Sequence, residues 1–206
     1  MIKKYYAVKK GWNTGIYTTW DEAKKQVENY SNAVYKSFST LKQAKDFLND
    51  NDQKPLKNFN DDKNSCIAYT DGSYDTLNNT FSYGVVVFWK NREFHLSQRF
   101  NDSQLANLRN VAGEIIAVKQ TIMFCVANKI SKVIICHDYQ GVSKWALNQW
   151  KANLDFTKEY KDFFNKYKDQ ISVEFKWIKS HTNNKYNDLA DKLAKQATLE
   201  FVFKEV

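Results

Sequence analysis

GEIIAVKQTIMFCVANKISKVIICHD, residues 113–138, is the stretch that decides the fold. Ile115, Val118, Ile122 and Cys125 recur at steps of three and four. That spacing is one face of a helix, predicted over about 111–129. The run that follows, KVIICHD (132–138), has no such period. It is short, β-branched and apolar on both sides, as a strand covered on both faces must be, and it ends on an acid. Upstream, CIAYTD (66–71) is a second strand that ends on an acid, and SYGVVVFW (82–89) and REFHLSQRF (92–100) alternate as two more. Downstream, helices near 141–149 and 156–167 lead to a strand, ISVEFKWIK (171–179), and a helix near 186–199 closes the series. The order βββαβααβα predicts an α/β fold with a mixed five-stranded sheet and helices on its faces.

Upstream of these strands the chain changes character. NDNDQKPLKNFNDDKN (49–64) holds the single proline and almost no apolar residues, so 51–64 reads as a linker between residues 1–50 and a larger domain, 65–206. The first part reads as a small α+β module of three strands and two helices. KYYAVKKG (4–11), GIYTTW (15–20) and VYKSF (34–38) are its strands. One helix starts at Asp21, and Ser39 or Thr40 caps the other. Residues 1–50 carry a net charge of +4, as do residues 65–206, so charge density is far higher in the first part. The whole chain is at +8 with 16% aromatic residues, a balance that suits a polyanionic partner offering ring faces to stack on.

Three cysteines, Cys66, Cys125 and Cys136, lie in apolar runs, and no two stand at metal-ligand spacing. This pattern fits a reducing compartment and argues against a disulfide framework. No signal-peptide pattern and no apolar run near the roughly 20 residues of a membrane span is visible, so a cytoplasmic protein without a membrane partner is expected.

Four acids stand out by position. Asp71 and Asp138 come at strand ends, where ligands of α/β sheets gather. Glu114 is in the first turn of the long helix and Asp191 is on the last helix. Each alone has an ordinary reading: turn former, dipole partner, loop acid, solvated face. Together they suggest one cleft, and clustered carboxylates repel unless cations neutralise them. Hard oxygen ligands select Mg2+ or Mn2+, and two such ions roughly 4 Å apart suit phosphodiester hydrolysis.

YTDGS (69–73), GEIIAV (113–118), ICHDYQGV (135–142) and SHTNNKYNDLADKLAKQA (180–197) resemble, in order, the four signature blocks of type 1 ribonuclease H. The resemblance covers 65 to about 200. It implies a magnesium-dependent endonuclease, with Mn2+ able to substitute, that cuts the RNA strand of RNA–DNA hybrids and leaves 5′-phosphate and 3′-hydroxyl ends. By the same resemblance Asp71, Glu114, Asp138 and Asp191 hold two metal ions. His181 matches the mobile histidine of that family, while Asp188, three residues before Asp191 on one helix face, reads from its spacing as an outer acid. Asn110, Asn187, Gly72, Ser73 and Gly113 lie against the nucleic acid. The segment YDTLNNTFSYG (74–84) departs from the family's glycine-rich pattern, so contacts there do not transfer.

YYAVKKGWNTGIYTTWDEAKKQV (5–27) and YKSFSTLKQAKDFL (35–48) resemble the hybrid-binding module that precedes many type 1 ribonucleases H. The match implies that Tyr6, Trp20 and Tyr35 lie on the DNA strand and that Lys9, Lys10 and Lys36 meet phosphates. Duplex RNA is an alternative ligand of this module, and a monomer is expected. Two rival readings are another nuclease on the same fold and a binder without catalysis. The ordered blocks argue against the first and the four acids against the second.

Overall fold

A computed structural model describes residues 4–49, 62–179 and 184–206, and the chain divides into two compact units, Met1–Gln53 and Lys54–Val206. Residues 50–61, which hold most of the expected linker, lie outside the described residues.

In the first unit β1 (Tyr5–Lys10) is the central strand, with β2 (Gly15–Tyr17) and β3 (Val34–Phe38) antiparallel on either side. Helix α1 (Trp20–Val27) begins one residue before Asp21 because Thr19 is its cap, accepting from the Glu22 backbone N–H at 3.3 Å. Helix α2 is Leu41–Asn49, and the Thr40 hydroxyl accepts from the Gln43 N–H at its start. Ala7, Val8, Ala23 and Ala44 are fully buried and form the centre of this small unit.

The second unit is a six-stranded mixed sheet in the order β8-β7-β4-β5-β6-β9. β4 (Ser65–Asp75), β5 (Thr80–Trp89) and β6 (Arg92–Phe100) form the antiparallel meander. β7 (Lys132–His137) runs parallel to β4 and to β8 (Ser172–Trp177). The short α3 (Ser103–Ala106) and α4 (Asn110–Ala127) link β6 to β7, and α5 (Gln140–Ala146) and α6 (Asp155–Tyr167) link β7 to β8. α7 (Lys185–Gln196) follows β8. The sixth strand, β9 (Val202–Glu205), pairs antiparallel with β6 and adds to the five strands that periodicity predicts. All four of its residues are exposed, so it carries no burial pattern for sequence reading to find.

Strand alternation splits the apolar residues between two layers. Ala68, Val85, Val87 and Ile135 face α4, with Ile115, Val118 and Ile122. Ile67, Tyr69, Val86 and Ile134 form the other cluster, with Tyr186 and Ala190 of α7. α4 has the length and mean hydropathy of a membrane span, but 56% of it is buried inside this unit as a core helix. The three cysteines are buried and unpaired, with Cys66 and Cys125 Sγ atoms 3.4 Å apart.

Candidate active site

Two close approaches aim the helices at the strand ends. A Cβ on Gly72 would stand 2.3 Å from the Asn110 carbonyl, and one on Gly113 would stand 2.1 Å from the Ser82 carbonyl. Only glycine at both positions lets α4 lie on the β4–β5 hairpin this closely. On the opposite face a Cβ on Gly84 would stand 2.2 Å from the Ala190 carbonyl, so α7 reaches β5 at its backbone. The Ser82 hydroxyl donates to the Ala194 carbonyl at 2.7 Å and fixes that contact. Arg99 pins the end of α7 through the carbonyls of Ala197 and Lys195, at 2.9 Å each. The space that Gly72 and Gly113 keep clear is therefore filled by protein backbone.

The result is a convergence of acids. Carboxylate oxygens of Asp71, Glu114 and Asp138 all lie within 4.8 Å of one another. They open into a cleft of about 370 Å³ that Asp188 and Asp191 also line. Asp191 stands apart from the trio, with its Oδ2 accepting from Lys195 Nζ at 2.7 Å. Asn110 and Asn187 line the same cleft. Asn110 is exposed, whereas Asn187 is 5% exposed and its Oδ1 has no partner. Ser73 pairs with Ser82 on the β4–β5 ladder, two residues beyond Asp71. His181 lies outside the described residues.

The electrostatics follow from the packing. Glu114 is 1% exposed, and one of its carboxylate oxygens, Oε2, has no protein partner. Burial first, then the charges of Asp71 and Asp138, push its pKa well above the ordinary carboxylate range. Burial, followed by the charges of Asp138 and Asp191, pushes Asp71 up to about 7. Lys195 is held charged by its bond to Asp191. Three converging carboxylates, one with an unused buried oxygen, offer only hard oxygen donors, which fits Mg2+ or Mn2+ far better than a softer ion.

Sequence reasoning missed Lys195 and Tyr139, which also line the cleft. For Lys195 the signal was present, since a lysine four residues after Asp191 shares its helix face. Tyr139 follows Asp138 and enters the cleft because the chain turns there to start α5.

In the first unit the structure joins the three predicted aromatics. Tyr6 and Trp20 have ring centroids 5.7 Å apart, and Trp20 and Tyr35 5.6 Å. Trp20 is 40% exposed and Tyr35 47%, so two of the three rings are open to solvent. The lysines are not part of it. Lys36 lies over Phe38, Lys9 lies over Phe47 of α2, and Lys10 is exposed at the end of β1. Trp12, 63% exposed, was not anticipated; its indole N–H donates to the Glu28 carbonyl at 3.2 Å.

Known proteins share both units. A family described as the ribonuclease H1 N-terminal domain matches residues 4–48, and the RNase H family matches 63–199. A ribonuclease H of Saccharomyces cerevisiae is 30% identical over 171 residues, covering 82% of this chain and 42% of that protein. One of Schizosaccharomyces pombe is 24% identical, covering 96% of this chain and 98% of that protein. Among solved structures, LC11-RNase H1 in complex with an RNA/DNA hybrid is similar in fold, with a TM-score of 0.52 and 18% identity, covering 64% of this chain and 95% of that one. With the matched family spanning β4 to α7 and the acid cluster, this chain belongs to the ribonuclease H family of endoribonucleases.

Proposed function

We propose that this protein hydrolyses the RNA strand of RNA–DNA hybrids by two-metal-ion catalysis with Mg2+, leaving 5′-phosphate and 3′-hydroxyl ends. The observation that carries the reading is the convergence of Asp71, on β4 just beyond its pairing with β7, Glu114 on α4 and Asp138 just past β7 in a ribonuclease H fold. These three side chains would hold the cations, with Asp191 completing the set from α7. Divalent cations bound there supply an activated water and neutralise charge on the scissile phosphate.

The chain's own residues do the rest. Gly72 and Gly113 let α4 lie directly on the β4–β5 hairpin, which brings Glu114 beside Asp71. Asn110 and Asn187 offer amide donors and acceptors of the kind that read 2′-hydroxyls, which separate RNA from DNA. Lys195 covers the charge of Asp191 until a cation does so. Asp188, on the rim, is an outer acid that attracts cations. His181, three residues before the Asn184 cap of α7, moves a proton as product leaves, and His181→Ala should slow turnover by roughly 10²–10⁴-fold.

Residues 1–50 serve as a tether, joined through 51–64 to the catalytic domain, 65–206. The Tyr6–Trp20–Tyr35 ladder stacks on the DNA strand, while Lys9, Lys10 and Lys36 approach phosphates and release counterions. A labelled hybrid, incubated with Mg2+ or with chelator beside duplex DNA and duplex RNA, tests the whole reading. Cleavage of the hybrid's RNA alone, with Mg2+ alone, is expected, with a monomer in solution. Binding without cleavage at every Mg2+ concentration would make the protein a binder, and retention of duplex RNA by the first unit would widen its ligands.

A further inference from the structure

Asp138 sits just past the end of β7, and three successive carbonyls there are held by three different donors. The His137 carbonyl accepts from the Ile178 backbone N–H at 2.9 Å. The Asp138 carbonyl accepts from the indole Nε1–H of Trp177 at 3.1 Å. The Tyr139 carbonyl meets Nδ1 of His137 at 3.0 Å. The first of these extends the β7–β8 ladder beyond His137 opposite Trp177. Beyond it the chain bends into α5 and strand pairing ends; the Asp138 carbonyl is held by a side chain, and the Tyr139 carbonyl by a side chain and by the Val142 backbone N–H at 3.4 Å.

The chemistry of the three bonds is fixed by their acceptors. A carbonyl only accepts, so Nδ1 of His137 carries the ring proton. Its Nε2 is then the bare nitrogen, buried without a partner. Burial holds the imidazole neutral by drawing its pKa down. The ring packs edge-on against Phe175 at 5.7 Å, so its orientation is fixed. Trp177 differs, because it is 52% exposed and contributes little buried area for a residue of its size. What it does contribute is one directed hydrogen bond to the peptide that carries Asp138.

We propose that Trp177 is a positioning residue for Asp138: its indole N–H fixes the Asp138 peptide and so the direction from which that carboxylate enters the cation-binding trio. The inference rests on the reading of Asp138 as a cation ligand. Ligand orientation set by hydrogen bonds outside the ligand shell commonly decides cation affinity by about tenfold or more. A peptide free to rotate at the end of β7 would swing its side chain away from Asp71 and Glu114, because no described hydrogen bond holds the Asp138 carboxylate itself.

The test uses the full chain with Trp177→Phe and, as a closer isostere, 3-benzothienylalanine at position 177, which keeps the ring outline and replaces N–H with sulfur. Cation affinity is read without substrate, as the Mg2+ concentration that gives half the thermal shift. Steady-state cleavage of a labelled hybrid gives kcat and KM. Both replacements should raise the half-saturating Mg2+ about tenfold and lower kcat about tenfold, with KM for the hybrid within twofold. Half-saturation and kcat both within twofold of wild type, with only the melting temperature lowered, would make the contact an ordinary strand-end bond and overturn the proposal. A raised KM at unchanged kcat would overturn it too, since the ring would then be touching nucleic acid. Asp138→Asn, run in parallel, separates the two ideas. If it still cuts, the cation-ligand reading fails; if it is inactive while the Trp177 replacements behave as wild type, only the positioning role fails.

Discussion

At the scale of single residues, Asp71 and Glu114 are placed where neither ionises readily without a cation. Burial and the neighbouring charges raise Asp71 to about 7 and hold Glu114 well above its ordinary range. The sign of the consequence follows. Cation-free folded protein holds protons that the unfolded chain releases near pH 4. The stability these groups allow is therefore fully present below that pH and is lost as pH rises through about 7. In chelator, the melting temperature should fall by on the order of 5 °C between pH 5.5 and pH 8. Saturating Mg2+ should reverse the fall, and Glu114→Gln should flatten it. An Glu114→Gln melting profile as steep as that of wild type would place the pH dependence elsewhere.

At the scale of elements, the catalytic cleft is a product of how closely two helices approach one sheet. A methyl group at Gly84 would collide with the backbone of α7, which cannot yield as a side chain would. Gly84→Ala should therefore cost about 1–3 kcal/mol in a denaturant melt and displace Asp191, with a large loss of cleavage. Unaltered stability would mean that α7 is not seated as described. Arg109 gives a converse case. Its φ of 53° and ψ of −134° at the N-cap of α4 are strained for any residue with a Cβ. Arg109→Gly should be neutral or stabilising, by up to about 1 kcal/mol in the same melt, and a loss larger than that would mean the arginine side chain holds the turn.

These two positions also show where sequence reading stops. Asp138 at a strand end and the helix face of 113–125 were legible, because burial imposes a period and a strand end imposes a place; the end of the Asp71 strand was misplaced, since β4 continues to Asp75 by pairing with β5. The approach of Gly84 to Ala190 was not, since it joins residues more than a hundred apart and leaves no local period. β9 was missed for a related reason. Its Phe203 stacks on Phe94 at 5.9 Å across the sheet edge, and Val202–Glu205 is otherwise exposed. The bond from Trp177 to the Asp138 peptide likewise depends on two parallel strands ending together.

At the scale of the whole molecule, each unit has its own buried centre, and the acid trio with all strands of the larger sheet falls after residue 64. A chain starting at Asp61 should fold and cut hybrids. It should lose affinity and processive cutting on long hybrids, because a tethered second site raises the local substrate concentration. Hybrid binding by the full chain should weaken steeply with salt, since lysines contribute counterion release. Equal rates for the shortened and full chains on long hybrids at low protein concentration would remove the tether role from residues 1–50.

Cleavage depends on the cluster of Asp71, Glu114 and Asp138, and Asp71→Asn probes it with the least change of shape. The most direct measurement is single-turnover cleavage of a labelled RNA–DNA hybrid by this variant at saturating Mg2+, with hybrid affinity measured alongside. The predicted result is a cleavage rate at least about 10³-fold below wild type, more than 4 kcal/mol of lost transition-state stabilisation, with hybrid affinity within about threefold. A rate within tenfold of wild type would contradict the assignment of the cluster as the catalytic cation site.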